Sequence, residues 1–170
     1  MINIDETYKW LNIFEPSSLS LPAAILRDQI LNDIRDKKYM PAYQAIEQLK
    51  SYESSRILTR ERAEIWIECG LGFFYIGDPD EAMEALKRAI ALDASMHAEA
   101  VAHCMLSAIQ WQFVSKRSEA LLNWKTAIEK LGQLADLADK ENWTDRRDWY
   151  RLKIKDLEDD EKRELSKAFS

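Results

Sequence analysis

Glycine and proline are scarce in this chain of 170 residues, which has four of each. A protein built from β-sheets needs many tight turns, and these two residues supply most of them. Hydrophobic residues make up 46% of the chain and charged residues 32%, a balance typical of a folded globular domain and not of a disordered segment. We therefore expect an all-α protein with a substantial core.

The sequence also lacks a long apolar run and a recognisable secretion signal. Its most apolar stretch, residues 65–76, contains Glu68 and is much shorter than the roughly 20 residues that span a bilayer. The N-terminus has no basic start followed by an apolar stretch. We predict a cytoplasmic protein with no membrane partner.

Positive charge is in deficit, with 24 Lys and Arg against 30 Asp and Glu and a formal net charge of −6. Non-specific binding to nucleic acid depends on neutralising phosphates with Lys and Arg. This balance therefore predicts that nucleic acid is not a partner.

Cysteine and histidine, with two residues each, are too few and too scattered to predict a metal site. His97 and His103 are six residues apart on one predicted helix and so point in different directions. A di-metal site in a helical bundle needs Glu-x-x-His on two helices, and the sequence has none. Cys69 and Cys104 lie in apolar helical patterns, which favours buried, reduced thiols, with a disulfide as the alternative.

No constellation of residues indicates catalysis. Gly70 and Gly72 lie between aromatic residues without the Gly-Lys-Ser/Thr that completes a phosphate-binding loop. Glu64 and Glu68 share a helix face, which we interpret as a solvated pair because no nucleophile or base accompanies them. We predict that the chain is not an enzyme and has no catalytic residue, metal ligand or cofactor.

Apolar residues recur at three- and four-residue spacing along most of the chain, as in amphipathic helices. The clearest helix start is Asp78-Pro79-Asp80-Glu81, which combines a cap residue, a proline in the first turn and acids near the positive helix end. The predicted helices cover about residues 5–14, 22–36, 40–49, 59–76, 79–92, 95–113, 118–138 and 145–170.

Composition divides the chain into three segments. Residues 1–22 form a short helix and a linker, and residues 23–138 carry the apolar helical patterns. Residues 139–170 are highly charged, with a narrow apolar stripe that predicts a helix lying on a surface.

The middle segment contains two units that repeat with a constant offset of 38 residues. The matching positions are Ala63, Trp66, Gly70, Phe73, Ala82, Leu86 and Ala89 in the first unit, and Val101, Cys104, Ala108, Trp111, Ala120, Trp124 and Ala127 in the second. Two antiparallel helices approach closely only where side chains are small. We therefore expect Gly70 to face Ala82 and Ala108 to face Ala120, with the aromatic residues buried beside them.

This pattern resembles the tetratricopeptide repeat, W-x₂-L-G-x₂-Y followed by A-x₃-F and a terminal Pro. The first unit matches at Trp66, Gly70, Phe73 and Ala82. It departs from the pattern at Cys69, Leu86 and Ala94. The resemblance implies an antiparallel helix-hairpin array, a right-handed solenoid of two to three repeats with flanking helices. If there is a third repeat, it lies upstream, with Ala42, Ile46 and Leu49 in its second helix.

A second apolar stripe runs beside the packing stripe of the first helix in each unit. The residues of this stripe that we predict to bind a partner are Ile67, Leu71, Phe74, Tyr75, Met105, Ile109 and Phe113. The resemblance implies that the stripe lines a concave groove that holds a peptide or helix of another protein. The Lys and Asn with which chaperone-binding members of the family clamp a carboxylate are missing here.

Two functional hypotheses follow. The first is a protein–protein interaction module, an adaptor or small chaperone holding an apolar segment. The alternative is a regulatory or inhibitory subunit that binds a neighbouring protein through the charged C-terminal helix. Exposed apolar surface is unfavourable in water, so we expect a helix to cover the stripe, either from the chain's own termini or from a partner.

Overall fold

The computed structural model describes residues 2–170 and confirms the predicted all-α fold, with no strand among those residues. The helices are α1 (Ile4–Lys9), α2 (Leu21–Arg35), α3 (Tyr39–Glu53), α4 (Thr59–Tyr75), α5 (Pro79–Ala91), α6 (Met96–Trp111), α7 (Arg117–Lys140) and α8 (Thr144–Ala168). Short 3₁₀ turns follow α1 at Trp10–Asn12 and α6 at Val114–Lys116. Within residues 2–170, no helix combines the length and the apolar character that crossing a bilayer requires.

The helix boundaries agree with the predicted ones to within a few residues, and one start confirms its cap. Asp78 Oδ1 accepts a hydrogen bond from the backbone N–H of Glu81 at 3.2 Å. Thr59 and Thr144 stand where the sequence also predicts helix caps, and this prediction is wrong because each threonine is the first residue of its helix. The cap positions are Leu58 and Trp143, and neither side chain makes a capping hydrogen bond.

Three of the hairpin turns share one geometry. Lys37, Gly77 and Asn142 follow α2, α4 and α7 and have φ values of 60°, 87° and 59°. In each turn the backbone N–H of the next residue donates to the carbonyl oxygen of the residue five positions before it, which lies in the helix. The N···O distances are 2.7 Å, 2.9 Å and 2.8 Å respectively. This left-handed ending satisfies the last helix carbonyls and reverses the chain.

The described chain forms two compact units. One is Glu15–Ala98, which holds α2 to α5. The other combines the described residues up to Phe14 with Glu99–Ser170, and so holds α1, α7, α8 and most of α6. These units are groups of packed helices, whereas the segments 1–22, 23–138 and 139–170 describe sequence pattern and stay a prediction.

In the unit Glu15–Ala98, α4 packs between α5 on one side and α2 and α3 on the other. A Cβ added at Gly70 would lie 2.9 Å from Leu86 Cγ and 3.4 Å from the carbonyl oxygen of Ala82, which confirms the predicted close approach of α4 and α5. A Cβ at Gly72 would lie 2.8 Å from Ile46 Cδ1 of α3. The two glycines therefore admit neighbours on different sides of α4.

In the other unit, α6 and α7 are antiparallel, and α8 runs back along α7. Ser107 Oγ, next to the predicted contact residue Ala108, donates to the carbonyl oxygen of Ala120 at 2.8 Å. Trp124 Nε1 donates to the carbonyl oxygen of Leu157 at 3.0 Å, joining α7 to α8. The aromatic residues expected in the core are all buried: Trp66, Phe73, Trp111 and Trp124.

Candidate functional site

The predicted partner-binding residues of α4 differ in accessibility. Ile67 and Leu71 are 0% and 2% exposed, whereas Phe74 and Tyr75 at the end of the helix are half-buried. Phe74 and Tyr75 contact each other edge to face, with ring centroids 5.5 Å apart. A partner can therefore reach the end of this stripe directly, but reaches Ile67 and Leu71 only if the chain opens.

The predicted residues on and after α6 show the same division. Met105 and Ile109 are fully buried, and Phe113, beyond the helix end, is 36% exposed. Binding of a partner through these positions stays a prediction that requires the fold to open around Met105 and Ile109.

Helix α4 is buried almost all round, and its interior face includes carboxylates. Of its 17 residues 12 are buried, among them Glu61, Glu64 and Glu68 at 6%, 4% and 3% exposure. The interpretation of Glu64 and Glu68 as a solvated pair is therefore wrong. A carboxylate removed from water needs hydrogen-bond donors, since burying an unpaired charge is strongly unfavourable.

Glu61 and Glu64 accept hydrogen bonds from residues 15–20, a non-helical segment between α1 and α2 that we call the strap. The Ser18 N–H and Ser18 Oγ donate to Glu64 Oε2 at 2.7 Å and 2.5 Å. Ser17 Oγ donates to Glu64 Oε1 at 2.6 Å, and the Ser20 N–H donates to Glu61 Oε1 at 3.0 Å. The strap is thus seated on α4 through its backbone as well as through its hydroxyls.

Two arginines flank the strap. Arg60 Nη2 lies 2.9 Å from Glu15 Oε2 and also donates to the carbonyl oxygen of Pro16 at 3.0 Å. Arg27 Nη1 of α2 lies 3.5 Å from Ser17 Oγ. The start of the strap therefore lies beside positive charge, while Ser18 and Ser20 meet only the glutamates in these hydrogen bonds.

A second polar group joins α6 to α7. His103 Nδ1 lies 2.7 Å from Asn123 Oδ1, and Asn123 Nδ2 donates to Gln110 Oε1 at 2.8 Å. Since the Asn123 oxygen is the acceptor in this arrangement, the neutral imidazole carries its proton on Nδ1. Burial lowers the pKa of His103 below its usual value, while the hydrogen bond that His103 donates to Asn123 acts in the opposite direction.

Charged side chains on α6 and α7 accompany this polar group. Lys130 Nζ lies 2.8 Å from Glu99 Oε2, and Gln110 Nε2 donates to Glu119 Oε2 at 3.2 Å. Sequence reasoning missed the network, although the signal was present. Four of the polar residues of α6 recur at spacings of four, four and three residues, as Glu99, His103, Ser107 and Gln110.

Residues before the strap pack on α8 through aromatic rings. The Trp149 ring contacts Trp10 and Phe14 edge to face, at centroid distances of 5.6 Å and 5.2 Å. Lys153 Nζ lies over Trp10 and Arg146 over Phe14, at 5.4 Å and 5.0 Å. Farther along, Glu164 Oε2 of α8 accepts a hydrogen bond from Trp111 Nε1 at 3.2 Å.

Both cysteines are free and buried, as expected for reduced thiols. Burial raises the pKa of the Cys69 and Cys104 thiols well above the usual range, so neither forms a reactive thiolate near neutral pH. Across residues 2–170, no three or more His, Cys, Asp or Glu side chains are grouped so as to hold a metal ion.

Comparison with protein-family models, with curated proteins and with solved structures finds no match for this chain. The resemblance to tetratricopeptide repeats therefore stays a prediction from the sequence pattern.

Proposed function

We propose that this chain is a protein-interaction module, an adaptor or small chaperone that holds a segment of another protein and carries out no catalysis. Helix α4 is the binding element in this proposal. The accessible end of its apolar stripe, Phe74 and Tyr75, takes apolar side chains of the partner segment.

The observation that supports the proposal is the strap itself. The Ser18 and Ser20 N–H groups donate to carboxylates of α4, so the helix already holds a non-helical segment by its backbone. Backbone contacts of this kind give affinity with little dependence on sequence, and pockets for side chains add the selectivity. Phe74 and Tyr75, half-buried at the other end of α4, offer such apolar contacts.

A specific observation also favours the alternative, a regulatory subunit that binds through α8. Only Tyr150 and Leu157 of its 25 residues are buried. Most of its charged side chains therefore face solvent, where a partner of complementary charge can reach them. Complexes of that kind weaken with salt, because exposed charges are screened.

Photo-crosslinking in an extract of the native host, irradiated at low and at high salt, separates the two proposals. A photoreactive phenylalanine analogue is placed either at Phe74 of α4 or at Leu152, a 53% exposed residue of α8. We expect a partner crosslinked from Phe74 at both salt concentrations, and none from Leu152.

A partner crosslinked only from Leu152, and only at low salt, would support the regulatory alternative instead. Absence of a specific crosslink at both positions would contradict the interaction module.

A further inference from the structure

The strap is attached to α4 by polar contacts and by little apolar burial. Its own leucine, Leu19, is half-buried, and the next one along the chain, Leu21, is 74% exposed. The donors that hold it are two hydroxyls and two backbone N–H groups. A segment held in this way can leave without exposing a large apolar surface.

Departure of the strap is nevertheless unfavourable for Glu64, the carboxylate beneath it, because three hydrogen bonds are lost. Glu64 is 4% exposed and accepts three hydrogen bonds from Ser17 and Ser18. Losing these three bonds destabilises a buried carboxylate, because nothing then compensates for the water that it gave up on burial. The strap is therefore replaced readily only by a group that supplies the same donors in the same arrangement.

We propose that α4 binds, in place of the strap, an extended segment of a partner protein that carries two adjacent hydroxyl side chains. The strap is the resident competitor for this site. This inference rests on the proposed interaction function and names the class of partner segment. The selection is chemical: adjacent Ser or Thr residues supply both oxygens of Glu64, while the backbone N–H groups reach Glu64 and Glu61.

The same geometry requires the hydroxyls to be unmodified. A phosphate brings about two negative charges and removes the O–H donor, so it would repel Glu64. The two positions are unequal, because Arg27 lies 3.5 Å from Ser17 Oγ and offsets charge there. Phosphate on the second hydroxyl of the bound segment should therefore weaken binding more than phosphate on the first.

The tethered strap is a strong competitor for a free peptide. A segment joined by a short flexible link has an effective local concentration in the millimolar range. A free peptide of the same sequence therefore binds the unaltered chain poorly. Weakening the strap in place, without removing it, should expose the site.

The test uses the full chain and a fluorescent peptide with the sequence of residues 15–20, blocked at both ends. Binding is measured by anisotropy to the unaltered chain, to Ser17→Ala/Ser18→Ala, and to that variant with Glu64→Gln added. Glu84→Gln, a change at a solvent-exposed carboxylate of α5, replaces Glu64→Gln as the matched control. Circular dichroism verifies that every variant stays folded.

We expect the peptide to bind Ser17→Ala/Ser18→Ala at least about tenfold more tightly than the unaltered chain. Glu64→Gln should abolish that gain because an amide offers one acceptor oxygen instead of two, and Glu84→Gln should preserve it. Phosphoserine at the second hydroxyl should prevent binding.

Equal binding to all variants, or no binding to Ser17→Ala/Ser18→Ala, would overturn the inference. A partner crosslinked from Phe74 together with no peptide binding would leave the interaction function standing and remove only this assignment of the segment. Binding that tolerates Glu64→Gln would place the peptide elsewhere on the chain and would equally overturn it.

Discussion

Helices α4 and α8 are both long and both contain several charged residues, but they differ in how much of each helix is buried. Of the 17 residues of α4, 12 are buried, and three of those are glutamates. Of the 25 residues of α8, only Tyr150 and Leu157 are buried. The charges of α4 therefore depend on specific donors, whereas most of those of α8 depend on water.

The chain before α2 is held by both kinds of attachment, each within its own unit. Trp10 and Phe14 pack on α8 through Trp149 and nearby cations. The strap that follows binds α4 through the carboxylates of Glu61 and Glu64. Aromatic packing tolerates small shifts, but the buried carboxylates accept only correctly placed donors. The difference predicts that substitutions in α4 are severe and that those in α8 are local.

The largest effect is expected from Leu71→Glu in α4, compared with Leu152→Glu in α8. Leu71 is 2% exposed, and a charge placed there has no described donor, so the free energy of unfolding should fall by about 4 kcal/mol or more. Leu152 is 53% exposed, and the same change should stay within about 0.5 kcal/mol. Urea unfolding followed by circular dichroism measures both.

Ile109→Glu extends the same test to α6, where Ile109 is fully buried. Leu71→Glu and Ile109→Glu each leaving stability unchanged would mean that the stripe is ordinary surface. That result would contradict the burial of both residues.

We expect the buried side chain of Leu157 to hold α8 to its unit. Leu157 is 2% exposed, and Leu157→Ala should lower the free energy of unfolding by about 2–3 kcal/mol because it leaves a cavity. The loss should appear as faster protease cleavage within α8, with most of the helicity kept. Leu152→Ala is the control and should leave the cleavage rate unchanged. Equal effects of both changes would show that α8 is not attached through Leu157.

The sequence pattern was sufficient for the fold class and for the contacts made by small residues. Gly70 facing Ala82 follows from the rule that close helices need small side chains, and the structure has that contact. The pattern could not place Glu64, because its partners Ser17 and Ser18 are 47 and 46 residues away in sequence. Burial of a charge depends on tertiary donors that local spacing does not reveal.

The candidate site was predicted less well than the fold, for a related reason. The sequence pattern predicts one packing stripe and one binding stripe on two faces of α4. A helix that is apolar nearly all round is usually buried, and Ile67 and Leu71 are buried. Only the end of the stripe, at Phe74 and Tyr75, is accessible in part.

The third prediction compares two glycines, one tightly packed and one in open space. Gly132→Ala in α7 has no atom within 4 Å of the new Cβ and should stabilise the chain by about 0.5–1 kcal/mol. Gly70→Ala should instead destabilise it by about 1 kcal/mol, because its Cβ meets the fully buried Leu86 at 2.9 Å. Thermal unfolding of both variants measures the difference. A stabilising Gly70→Ala would mean that α4 and α5 have room to separate.

The smallest expected effect is a dependence of stability on pH through His103 in the α6–α7 polar network. Burial lowers the pKa of His103 in the folded chain, so the unfolded chain binds more protons as the pH falls below the usual value of 6.5. Stability should therefore be complete above that pH and decline below it, down to the folded pKa. The nearby charges oppose each other in their effect on His103, since Lys130 disfavours its protonation while Glu99 pairs with Lys130.

His103→Gln keeps a hydrogen-bonding amide beside Asn123 but does not titrate, so its unfolding free energy should change less between pH 7.5 and pH 5.5. Urea titrations at both pH values give the comparison. An equal or larger change in His103→Gln would show that the pH dependence arises from groups other than His103.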